Sequence, residues 1–191
     1  LSRDEIRTIW HTDLLTPPML LALKLLLATG QRVEEVLHAA RKEFDLIEKV
    51  WEIPGERRKT RGQTSEPHIV PLTEFHIDLL TEIADTTQHE YYLFPARGGA
   101  NPRRYDALTH AVRVFVQASG MQSFSPRDIR RTFKTVAGSM GISLEMRNRL
   151  QGHAMTDVGS VHYDRYDYLP EKREAMQAWA NGLAEIVGTN A

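Results

Sequence analysis

Residues 124–135 read FSPRDIRRTFKT. Ser125 suits a helix N-cap, Pro126 suits the first helical position, and Asp128 places an acid near the positive end of the helix that follows. On that helix Arg127, Arg130, Arg131 and Lys134 fall at i, i+3, i+4 and i+7 and share one face, while Ile129, Phe133, Val136, Ala137 and Met140 line another. One face packs and the other is cationic. Such a stripe is usually a solvated surface. Here, however, the four charges have one sign with little i,i+4 pairing to relieve them, and arginine carries a forked donor set suited to phosphate oxygens. A bound anion is the alternative to a bare surface stripe.

Composition limits where that anion can bind. The chain has 191 residues, 41% hydrophobic and 26% charged, which is enough for a sizeable core in one domain. A formal net charge of −1 argues against wholesale coating of nucleic acid, since such affinity comes from neutralising many phosphates at once. An anion site is therefore expected to be local. With no cysteine, disulfide frameworks, thiolate metal sites and Cys nucleophiles are excluded together. The longest apolar run, Met19 to Thr29, is interrupted by Lys24 and is too short to span a bilayer. No signal peptide is recognised, so a cytoplasmic location is the expectation. LSRDEI opens the chain with Ser2 and Glu5 at capping-box spacing, the expected mark of a domain cut from something longer.

Outward from the basic helix, PPMLLALKLLLATG reads as a buried helix started by Pro17 and Pro18 and stopped by Gly30, and RVEEVLHAA as a shorter helix after it. FDLIEKVWEIPGERRKTRGQTSEPHIVPL alternates apolar and polar residues around Pro54-Gly55 and Gly62, which predicts a small antiparallel sheet of about three strands. Thr73 caps a helix bearing Ile77, Leu79, Leu80 and Ile83; YYLFP is a brief strand or extended loop, and ARGGANPRR a turn-rich connection. Helical periodicity returns in ALTHAVRVFVQAS, PRDIRRTFKTVAGSM, SLEMRNRLQG and PEKREAMQAWANGLAEIV. In the last of these, Met176, Trp179, Ala180, Leu183 and Ile186 have the spacing of a buried face, which fits packing either on the chain's own core or on another copy. The fold class is mainly α with a small antiparallel β-sheet (α+β).

Three further stretches carry polar chemistry. Arg32 follows Gly30 at a helix start, where a cation opposes the helix dipole and needs a distant reason. ERRKTRGQ puts Arg58, Lys59 and Arg61 on a hairpin tip, an ordinary place for basic residues. LQGHAMTDVGSVHYDRYDY places His153 after Gly152 and clusters Tyr163, Tyr166 and Tyr168. A helix-terminal histidine and tyrosines at a core or interface are the plain readings of that segment.

Taken in order, Arg32 in TGQRVEE, a lysine on a hairpin before a VPL segment, the PRDIRRT helix, a Gly-His pair and a tyrosine about ten residues further on resemble the catalytic domain of tyrosine recombinases, specifically phage-type integrases. The resemblance runs over essentially the whole chain. It implies a catalytic domain at residues 1–191, from the C-terminal part of a longer integrase whose N-terminal DNA-binding domains are absent here. It also implies DNA strand exchange through a covalent 3'-phosphotyrosyl intermediate, with no metal or other cofactor. By the same resemblance Arg32 and Arg130 are the two catalytic arginines, Glu35 the accompanying acid, Lys59 the hairpin lysine, His153 the histidine and Tyr163 the nucleophile. Tyr166 and Tyr168 stand close to that last position. Arg127 occupies a place where the family pattern has histidine, so a phosphate-holding role is expected there in place of proton transfer. Arg58, Arg61, Arg131 and Lys134 are expected to contact DNA. The implied partners are double-stranded DNA attachment sites and further copies in a tetramer on DNA, with no membrane, in the cytoplasm of a bacterial host. A type IB topoisomerase-like enzyme and a DNA-binding relative without catalysis are the alternatives; a helical phosphate-ester enzyme with an arginine pocket lacks a metal-ligand or Cys nucleophile signature.

Overall fold

The computed structural model describes residues 1–57, 66–153 and 167–189. Its helices are α1 (Arg3–Trp10), α2 (Pro17–Thr29), α3 (Val33–Leu37), α4 (Glu74–Thr87), α5 (Tyr105–Ser119), α6 (Pro126–Ser139), α7 (Leu144–Leu150) and α8 (Leu169–Val187). The strands β1 (Phe44–Asp45), β2 (Val50–Ile53) and β3 (His68–Pro71) form one antiparallel sheet in sequence order, with Trp51 opposite both Phe44 and Val70. The mainly helical class and the three-strand sheet match the expectation from the sequence. Lys59, Arg58, Arg61, Tyr163 and Tyr166 lie outside the described residues.

Local chemistry sets the element ends. Ser2 and Glu5 close a reciprocal cap at α1, with the Ser2 N–H 2.7 Å from Glu5 and the Glu5 N–H 3.2 Å from Ser2. At α6, Asp128 accepts the Ser125 N–H at 2.9 Å and the Ser125 hydroxyl at 2.8 Å, and those two bonds hold its carboxyl below the ordinary range. α2 ends in Gly30 at φ +65°, in the left-handed region. RVEEVLHAA, however, is helical only to Leu37. Tertiary pairing takes the rest: Leu93 donates to the Ala39 carbonyl at 3.0 Å and Ala40 bridges Tyr92, so YYLFP supplies isolated bridges.

α2 is the centre of the core. Leu21, Leu23, Leu25, Leu26 and Leu27 are buried, and the helix is surrounded by α1, α3, α4, α6 and α8. Burying a leucine contributes about 1.5–3 kcal/mol, so this apolar helix is the main thermodynamic anchor for what is attached to its ends. α8 lies against α1, α7 and β3. Met176, Trp179, Ala180, Leu183 and Ile186 are all buried there, and the Trp179 indole donates to the Leu27 and Ala28 carbonyls at 3.2 and 2.9 Å. The apolar face of this helix is thus packed on the chain's own core. Among the described residues no helix is long and apolar enough to cross a membrane.

Candidate active site

Three chain segments meet at the end of α2: the turn 30–32, the cleft-facing side of α6, and residues 151–153 after α7. Between them opens a cleft of about 660 Å³ whose walls include Arg32, Arg127, Arg130, Arg131, Lys134 and His153. The structure thus places every described member of the expected set around one concavity, with Glu35 beside Arg32.

Arg32 is the N-cap residue of α3. Its guanidinium meets Glu35 Oε1 at 2.7 Å while its backbone N–H donates to Glu35 Oε2 at 2.8 Å. Glu35 is 2% exposed, and burying a carboxylate is costly unless it is met by such charge-assisted partners. The dipole-opposing cation is therefore held by its own capping acid.

Arg130 is held differently. Its Nη1 donates to the Gly30 carbonyl at 2.9 Å and its Nη2 to the Gln151 carbonyl at 2.5 Å, so backbone from two distant segments fixes the fork. This approach requires Gly30. Besides its positive φ, a Cβ there would lie 2.5 Å from the Phe133 ring of α6.

His153 follows Gly152, whose φ is +60° and whose added Cβ would lie 2.9 Å from the His68 ring. The His153 N–H donates to the Asn148 carbonyl at 3.0 Å. Burial first, then the Arg130, Lys134 and Arg32 charges, push its imidazole down to about 4, against an opposing effect of Glu35. It is neutral at neutral pH, and a neutral imidazole presents one donor and one acceptor.

The remaining cations differ in how they are tethered. Lys134 donates to Asn148 Oδ1 at 2.7 Å. Arg127 is exposed, with its guanidinium carbon 5.0 Å from the Tyr105 ring centroid. Arg131 pairs with Asp128 at 2.9 Å and its side chain is 83% exposed. Arg57 also lines the cleft. It is ion-paired to buried Glu43, which also accepts the Trp51 indole N–H at 3.0 Å. Burial pushes the Glu43 carboxyl up, against the lowering effects of Trp51 and Arg57. Sequence reasoning missed Arg57, although it sits in the basic run beside Arg58, and it missed the cleft residue Gln151 altogether. Tyr168 is stacked with Arg149, 3.4 Å from guanidinium carbon to ring centroid, and caps α8 at φ +55°.

Residues 1–168 match the model described as the phage integrase family. An integrase of Enterobacteria phage P4 is 27% identical over 173 residues, covering 85% of this chain and 39% of that protein. An integrase of Shigella phage Sf6 is 27% identical over 172 residues, covering 88% and 42%. The chain therefore spans about two fifths of the length of these curated relatives. Among solved structures, the integrase from mycobacterium phage Brujita superposes with a TM-score of 0.69 at 15% identity, over 93% of this chain and 56% of that one. The XerH site-specific recombinase bound to its difH substrate gives 0.61 at 22% identity, over 88% and 50%. At these identities the likeness is one of fold.

Proposed function

The chain belongs to the phage integrase family, and from that premise we propose that it is the catalytic part of a site-specific DNA recombinase that cuts and rejoins double-stranded attachment sites through a covalent 3'-phosphotyrosyl intermediate. The observation that carries this reading is Arg130. Its fork is fixed by two backbone carbonyls at the cleft, across from Arg32, with neutral His153 beside it.

In the proposed reaction the Tyr163 hydroxyl oxygen attacks the scissile phosphorus and loses its proton as the P–O bond forms. The bond to the 5'-oxygen breaks, and Lys59 gives that oxygen a proton. Charge grows on the nonbridging oxygens, where preorganised donors stabilise most. Arg32 and Arg130 face those oxygens, and His153 adds a neutral donor. Arg127, a permanent cation, adds charge without titrating. Rejoining is the reverse, with a 5'-hydroxyl attacking the phosphotyrosyl bond. Arg58, Arg61, Arg131 and Lys134 contact flanking DNA, and the longer protein acts as a tetramer on its sites in the cytoplasm of a bacterial host.

A nicked suicide duplex that loses its 5'-hydroxyl fragment after cleavage tests this. In EDTA the protein is expected to form a denaturation-resistant DNA adduct, and Tyr163→Phe to form none. An adduct that persists in Tyr163→Phe, or one that requires a divalent metal, overturns the reading.

A further inference from the structure

Two buried glutamines sit at the cleft end of α2, Gln151 in the cleft wall and Gln31 in the turn 30–32. Gln31 is 0% exposed and Gln151 is 1% exposed. The Gln31 Nε2 donates to the Thr29 carbonyl at 2.9 Å and to the Leu150 carbonyl at 2.8 Å. The Gln151 Nε2 donates to the Arg130 carbonyl at 2.9 Å and to the Gly30 carbonyl at 3.3 Å. In both residues every acceptor is a carbonyl oxygen, so the amide nitrogen must face it and the orientation is fixed. Each glutamine also reaches into the other's segment, and the two together join residues 29–31, α6 and residues 150–151. Those segments lead directly to Arg32, Arg130 and His153.

Packing alone does not call for amides here. A buried carboxamide loses its water and regains only what its new partners return, and an apolar side chain of similar volume avoids that loss. Gln31 Oε1 has no hydrogen-bond partner among the described residues. What the amides accomplish is geometric. The Gly30 carbonyl receives both the Arg130 guanidinium and the Gln151 amide, and the Gln151 backbone carbonyl receives the other arm of Arg130. Gln151 thus braces both supports of one guanidinium.

We propose that Gln151, with Gln31 as its counterpart, is a positioning residue that presets the Arg130 fork toward the scissile phosphate by fixing the Gly30 carbonyl on which the fork rests. The inference rests on the recombinase reading above. It is a claim about transition-state geometry and not about DNA affinity, because neither amide needs to touch DNA to act.

The test is single-turnover cleavage by the chain and its Gln151→Met variant on two suicide duplexes. One carries an ordinary scissile phosphate. The other carries a methylphosphonate there, which removes one of the charged oxygens that the fork must neutralise. Misplacing a positioned group by a fraction of an ångström to one ångström lowers rates by roughly 10- to 100-fold, and a loss of that order is expected on the phosphodiester with DNA affinity unchanged. On the methylphosphonate the variant should fall several-fold less. Gln31→Met, run in parallel, should show the same split if Gln151→Met fails to fold. Equal losses on both substrates mean general damage and overturn the inference, as does an unchanged rate on the phosphodiester. If the unsubstituted chain forms no adduct on the phosphodiester, the functional reading itself fails, and this inference with it.

Discussion

α6 carries two kinds of cation on one helix. On its cleft-facing side, Arg130 is pinned by the Gly30 and Gln151 carbonyls. One residue further along, Arg131 extends outward, 83% exposed, against Asp128 of its own helix. A surface pair of that kind contributes about 0–1 kcal/mol and is screened by salt. A fork pinned by carbonyls loses its freedom, which is the preorganisation needed to meet charge that develops in a transition state. Helical spacing assigns both residues to the cationic stripe, and only the long-range partners separate them.

The largest effect that sharpens this contrast lies in the turn supporting Arg130. Gly30 and Gly120 both end helices in the left-handed region, at φ +65° and +70°. Nothing lies within 4 Å of a Cβ added at Gly120, whereas at Gly30 the Phe133 ring is 2.5 Å away. Gly120→Ala should therefore cost only the backbone strain of about 1–2 kcal/mol, and Gly30→Ala about 2–5 kcal/mol once overpacking is added. Urea unfolding of the two variants checks the order; equal destabilisation breaks the claim that the cleft end of α2 is tightly supported.

A smaller effect comes from pH. His153 and the fully buried His76 are both pushed down to about 4 from an ordinary 6.5, with burial the first cause in each. Between those values the unfolded chain binds protons that the folded chain does not. Stability should accordingly be intact above pH 6.5 and decline as pH falls toward 4, with no further loss from these two groups below that. His153→Gln should make the decline shallower. The cleavage rate should show no inflection from His153 between pH 5 and 8; an inflection near 6.5 that His153→Gln removes would contradict a neutral histidine beside Arg130.

Much of this was legible in the sequence because it is decided locally. Ser125 and Asp128, Ser2 and Glu5, and Gly30 after an apolar run each act within a few residues, and the helix ends follow. The alternation around Trp51 gave the sheet for the same reason. The early end of α3 was not legible, since Ala39 and Ala40 are drawn into bridges with a segment some fifty residues away. At the site, motif spacing brought Arg32, Arg127, Arg130 and His153 to attention, and the fold places them around one cleft. Gln31 and Gln151 carried no local signal: the bond by which each reaches the other's segment goes to a partner 119 or 121 residues off, and each reads as an ordinary polar residue between two more noticeable ones. Arg57 was hidden in a basic run, because its ion pair is made with Glu43, 14 residues earlier in the chain. The expected roles of Lys59 and Tyr163 fall on residues outside those described.

The central claim is that α6 presents one preset clamp and not a uniform stripe. Single-turnover cleavage at saturating suicide duplex, compared between Arg130→Ala and Arg131→Ala, tests it most directly. Removing one positioned donor for transition-state charge typically lowers the rate by about 100-fold or more, and that loss is predicted for Arg130→Ala with Arg131→Ala within about threefold of the unsubstituted chain. Equal losses in the two variants, repaired in both by lowering the salt, would show that the stripe acts only as a phosphate-attracting surface and would contradict the account.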